Sequence, residues 1–95
     1  MEIYIDKSKL NESLYWLMRD CGYMPFHDSY IRALTPSGYP RFHIYVSETD
    51  DKYVLNLHLD QKKPSYGKET AHSGEYDSPI VEQEARRIQN HIDQL

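Results

Sequence analysis

With 95 residues the chain is the size of one small domain, able to fold alone but with little core to spare. Hydrophobic residues make up only 39%, a deficit that nine tyrosines partly offset, and this is not the composition of a disordered tail. A net charge of −4 disfavours a general coating of nucleic acid, and a single cysteine, Cys21, excludes both an internal disulfide and a thiolate zinc cluster.

Glu2–Ile5 suits either a short edge strand or a lead-in, and the pattern does not choose between them. From Lys9 the spacing turns helical: Leu10, Leu14, Leu17, Met18 and Cys21 form one apolar stripe, with Ser8 as N-cap and Gly22 as terminator. Pro25 bars any continuation. Ser29–Leu34 reads as a strand with Ile31 and Ala33 turned inward and Tyr30 and Arg32 outward. Thr35–Gly38, TPSG, has proline and glycine where a type I turn prefers them.

Arg41–Ser47 is the clearest strand, with Phe42, Ile44 and Val46 on one side and Arg41, His43 and Tyr45 on the other. After a polar loop at Glu48–Lys52, Tyr53–Asp60 alternates Leu55, Leu57 and Leu59 with Asn56, His58 and Asp60. Two registers are equally legal. One sets Arg41, His43 and Tyr45 opposite Asp60, His58 and Asn56; a slip of two residues sets His43 opposite Asn56. Ser78 and Pro79 open a last helix whose stripe is Val81, Ala85, Ile88, Ile92 and Leu95, flanked by Glu82, Glu84, Arg86, Arg87 and Gln89.

These elements predict an α+β fold over residues 1–95 as a single compact domain. It has two layers in the order α-β-β-β-α: a three-stranded antiparallel meander with both helices on one face. Several tyrosines are expected on the open face. Gln61–Asp77 is a connection longer than the roughly 12–15 residues that compact domains usually tolerate, which marks it as a functional loop. A polar N-terminus and the lack of a membrane-length apolar run lead to an expected cytoplasmic location without a membrane partner.

The open face is where the chemistry gathers. His43, His58, Asp60 and, from the loop, His72 are the residue types a divalent metal such as zinc selects. His43 and His58 are also the candidate catalytic pair, acid-base groups beside a carboxylate. Arg41, Tyr45, Asn56, Asp60, Lys62, Lys63 and Glu75 are the candidate binding residues for a phosphate-bearing ligand. A second reading is an RNA-binding or RNA-cleaving domain with Arg32, Arg41, Lys62, Lys63 and Lys68 on phosphates. A third is a protein-interaction module that docks a partner on its tyrosine-rich face. The blander account pairs Asp60 with Arg41 as a cross-strand ion pair, gives Cys21 to the core and lets the histidines bond their neighbours. Replacing His43 and His58 by alanine is expected to leave the fold intact, since neither faces the helices.

In element order the chain resembles the double-stranded-RNA-binding fold and the small HicA-type toxins that share it. The resemblance implies messenger-RNA cleavage by a histidine on a sheet strand, and GYPRFHIYV overlays that strand with His43 in the matching position. The toxins' glycine-serine-histidine signature is not present, and the last helix opens with Glu82 and Glu84 where an RNA binder carries basic residues.

Overall fold

Alternation along the two longest strands organises the sheet. The computed structural model describes residues 1–61 and 78–95, together with the backbone of residues 74 and 75. In it, β1 (Glu2–Asp6) is followed by a single 3-10 turn at Lys7–Lys9 and by α1 (Leu14–Asp20). Then come β2 (Met24–Phe26), β3 (Ser29–Ala33), β4 (Arg41–Glu48), β5 (Lys52–Asp60), β6 (Gly74–Glu75) and α2 (Pro79–Asp93). The fold is α+β. The strands run antiparallel in the order β1-β5-β4-β3-β2, and β6 pairs with β5 at Leu59 and Asp60. The meander expected from the sequence is therefore the centre of the sheet, widened on both sides.

β4 and β5 adopt the first of the two registers, with Arg41 opposite Asp60, His43 opposite His58 and Tyr45 opposite Asn56. Phe42, Ile44, Leu55, Leu57 and Leu59 consequently face the helices and are buried against Leu17, Met18, Val81, Ile88 and Ile92. Each such side chain contributes on the order of 1.5–3 kcal/mol by leaving water. Ile3 and Ile5 join this core from β1, which settles Glu2–Ile5 as an edge strand.

Several local expectations need correction. α1 begins at Leu14 behind Ser13, not at Lys9 behind Ser8. Asn11 and Ser13 favour caps and turns over helix interiors, and Leu14, Leu17, Met18 and Cys21 already supply a complete buried stripe without Leu10. Gly22 does end the helix, at φ +93°. Pro25 lies within a strand, because β2 is at the sheet edge, where a residue without an N–H is tolerated. Leu95 lies beyond α2 and is exposed, so it does not extend the α2 stripe. Ser78 is the N-cap residue but its hydroxyl makes no capping bond. Of the tyrosines, Tyr4 and Tyr45 are exposed, whereas Tyr23 is buried and Tyr30 and Tyr53 pack on the core.

The largest reversal is in β3. Tyr30 lies opposite Ile44 and Arg32 opposite Phe42, on the helix side, while Ile31 lies opposite His43 on the other. The reason is on α2. Glu84, placed from the sequence on the flank of the apolar stripe, is only 5% exposed. It accepts a hydrogen bond from the Tyr23 hydroxyl at 2.7 Å and two from Arg87 at 2.8 Å each, with Arg32 at 3.4 Å. A buried carboxylate requires such partners, and Arg32 must stand on the helix side to be one. Cys21 is buried beside this cluster, and burial pushes its thiol up to about 11, as suits a packing residue. No described helix is long and apolar enough to cross a membrane.

Tyr23→Phe keeps the shape of the buried ring but withdraws one donor from Glu84. Urea unfolding is expected to show a loss of about 1–3 kcal/mol. An unchanged midpoint would mean that Glu84 is solvated and not held by this network.

Candidate functional site

The strand period of two puts Arg41, His43 and Tyr45 of β4 on the same face as Asn56, His58 and Asp60 of β5, away from the helices. Asp60 is the meeting point. His43 Nδ1 lies 3.0 Å from its Oδ2, His58 Nε2 lies 3.0 Å from its Oδ1, and Arg41 Nε donates to Oδ2 at 3.2 Å. One nitrogen from each imidazole and an Asp60 oxygen all lie within 4.8 Å of one another, a group able to hold a metal ion.

The face is less open than alternation alone suggests. His43 and His58 are 5% and 4% exposed. Their rings lie 5.0 Å apart, and Tyr45 stacks on both, at 4.4 Å from His43 and 5.2 Å from His58. Phe26 of β2 meets His43 edge-on. The Arg41 guanidinium is held between the rings of Phe26 and Tyr39, 4.7 and 4.5 Å from their centroids, while it bonds Asp60. The Arg41–Asp60 pair foreseen as a weak surface contact is thus largely shielded, with side chains 14% and 17% exposed, and breaking it costs more than an exposed pair would.

A residue absent from the sequence reading completes the cluster. Ser29 of β3 is buried, and its Oγ lies 2.7 Å from His43 Nε2 and 2.8 Å from the carbonyl oxygen of Phe26, to which it donates. Serine, histidine and aspartate therefore stand in a line. Buried, with its hydrogen directed at a carbonyl, Ser29 is placed to orient His43 and not to attack a substrate. Its signal in the sequence was its position at the start of a strand that pairs with the one bearing His43, which becomes visible only once β3 is seen to turn its odd-numbered residues to the histidine side.

Electrostatics follow from the burial. Burial holds the His58 imidazole below its ordinary range, outweighing the attraction of Asp60, and the neighbouring His43 acts in the same sense. For Asp60, burial alone would push the carboxyl up, but hydrogen bonds from His43 and Arg41 and the nearby imidazoles outweigh it and hold it low.

Among the other candidates, Asn56 stands opposite Tyr45 and Glu2 on the same face. Glu75 is in β6, its backbone paired with Leu59. Lys62, Lys63, Lys68 and His72 lie outside the described residues. Arg32, counted with Arg41 in the RNA reading, lies on the opposite side of the sheet, beside Glu84. Comparison with protein-family models, with curated proteins and with solved structures found no match to this chain.

Both shifted groups have pKa values below the ordinary ones, so the unfolded chain binds more protons and stability falls with acidification. The His58 contribution is complete above its ordinary value of 6.5 and is lost below it; that of Asp60 is lost below 3.8. Chemical denaturation across pH is expected to show both limbs in the native chain. His58→Gln should flatten the upper limb and keep the lower one; an upper limb that survives the substitution would contradict the assignment.

Proposed function

We propose that this domain binds a divalent transition metal through His43 Nδ1, His58 Nε2 and Asp60, and uses the open coordination positions, with Arg41 alongside, for a phosphate-bearing ligand. The observation that carries the reading is the convergence of one nitrogen from each imidazole and an Asp60 oxygen within 4.8 Å of one another, and the proton positions along Ser29, His43 and Asp60 are compatible with it. Ser29 has one hydroxyl hydrogen, and it lies within reach of two acceptors, the Phe26 carbonyl and His43 Nε2. If a neutral His43 carries its proton on Nδ1, facing Asp60, the hydroxyl turns to Nε2 and the Phe26 carbonyl keeps the amide of Ser29, its partner across the turn between β2 and β3. If the proton is on Nε2, that nitrogen donates to Ser29, Ser29 donates to Phe26, and the Nδ1 lone pair points at the Asp60 carboxylate 3.0 Å away.

The first arrangement satisfies the line without an ion; the second satisfies it when a cation lies between Nδ1 and Asp60, and it is the form a bound metal selects. A proton would serve for His43 alone. A metal ion serves His43 and His58 together, and the low affinity of His58 for protons reduces the competition. Nitrogen-to-oxygen separations of 3.0 Å are hydrogen-bond lengths, and they need to open by only about 0.3–0.6 Å to serve a tetrahedral ion with bonds of about 2.0–2.2 Å. Ser29 then plays the outer partner that metal-bound histidines regularly have on their second nitrogen.

Two imidazoles and one carboxylate suit zinc or ferrous iron, and three protein ligands leave room for water or a ligand oxygen, as catalytic sites do and structural zinc sites do not. Arg41 uses Nε on Asp60, and its terminal nitrogens remain to bind a phosphate oxygen next to the ion.

Metal-depleted chain titrated with zinc at pH 7.5 is expected to take up about one equivalent and to unfold at a higher temperature. The affinity should fall as the pH drops through the histidine range near 6.5. His43→Ala and Asp60→Asn should abolish uptake, and Ser29→Ala should weaken it about 10–100-fold, the usual cost of losing an outer partner. Uptake that survives in the His43 and Asp60 variants would refute the site.

A further inference from the structure

On the other side of the sheet, a groove of about 550 Å³ runs between the ends of β3 and β4 and the flank of α2. Its apolar part is Phe42, with Leu34 and Ile80, which are exposed at 38% and 43% although nothing in the histidine cluster requires it. Its polar part is three guanidinium groups, Arg32, Arg86 and Arg87, around the buried Glu84. We infer that this groove is a binding site for a small organic anion, a carboxylate or phosphate carried on an apolar body, independent of the metal site.

Glu84 does not oppose such a ligand. Its carboxylate is already bonded by the Tyr23 hydroxyl and by both Nε and Nη2 of Arg87. Those bonds fix Arg87 in place, and Arg87 Nη2 is further tied to the Cys21 carbonyl at 2.6 Å. Arg32 gives Glu84 one long contact of 3.4 Å and lies over the Phe42 ring at 5.9 Å, so most of its donors stay uncommitted. Arg86 is exposed and makes no hydrogen bond or ion pair among the described residues. Three positive charges against one negative leave the groove cationic in a chain of net charge −4, so the charge is concentrated and not a general property of the surface. Guanidinium forks match carboxylate and phosphate oxygens, and the exposed side chains of Leu34 and Ile80, above the largely buried Phe42 ring, accept an apolar body. The volume is within the usual range for small-molecule sites.

The test uses the full chain and three probes: 2-naphthoate, acetate and the neutral naphthalene-2-methanol, followed by amide and side-chain chemical shifts. The proposal predicts that 2-naphthoate moves the resonances of Arg32, Leu34, Phe42 and α2 from Ile80 to Arg87, and binds at least tenfold more tightly than either other probe. Arg86→Glu, an exposed position outside the Glu84 network, should weaken 2-naphthoate at least tenfold without altering the fold, and Leu34→Ser should weaken it too. His43→Ala should leave it unchanged, which separates this site from the metal site. Equal binding of acetate, full affinity in the Arg86 variant, or loss of binding in the His43 variant would each overturn it.

Discussion

One carboxylate, that of Asp60, holds the polar side of this sheet together. Arg41 of the neighbouring strand donates to it, His43 Nδ1 lies 3.0 Å from the same oxygen, and His58 of its own strand lies against the second oxygen. The apolar core forbids a one-residue slip between β4 and β5, because Phe42, Ile44, Leu55 and Leu57 would then turn to the wrong face. It does not forbid a slip of two, which keeps every face. That slip would set His43 opposite Asn56 and separate Arg41 from Asp60. The choice between registers therefore rests on the polar face, and the site geometry and the strand pairing are one fact.

The same principle operates on the other side. Glu84 is a second largely buried acid, also satisfied by an arginine and a hydroxyl. The two clusters divide the arginines of the sheet, Arg41 going to Asp60 and Arg32 to Glu84. A buried carboxylate is costly unless fully bonded, so each fixes the orientation of the strand that serves it. With Arg32 required by Glu84, Tyr30 must follow to the core side and Ser29 and Ile31 to the histidine side. Ser29 thereby reaches His43.

What the sequence disclosed follows from this. The alternation in β4 and β5 is strong, so their faces and the neighbourhood of His43, His58 and Asp60 could be read directly, while the register was narrowed to two, of which the structure adopts the first. The stripe of α2 was equally plain, except that nothing in it marks the flanking Glu84 as buried. β3 misled because Ile31 and Ala33 look like a core face, and only Glu84, 52 positions further along the chain on another element, makes Arg32 the inward residue. β2 was hidden by Pro25, whose tolerance depends on the strand being at an edge, a property of the whole sheet. Ser29 was hidden for the same reason. Local periodicity carries what local packing decides, and long-range pairing of buried polar groups decides the rest.

In the proposed function a metal ion lies between His43 Nδ1 and Asp60. Long-range nitrogen-15 correlation spectra of the histidine rings, recorded before and after one equivalent of zinc at neutral pH, address it most directly. Zinc is expected to place His43 in the Nε2–H form with Nδ1 bound to the ion, the proton remaining shared with Ser29, and to shift Nε2 of His58 as a second ligand. Histidine ring spectra that zinc leaves unaltered, or a His43 that binds through Nε2 away from Asp60, would contradict it.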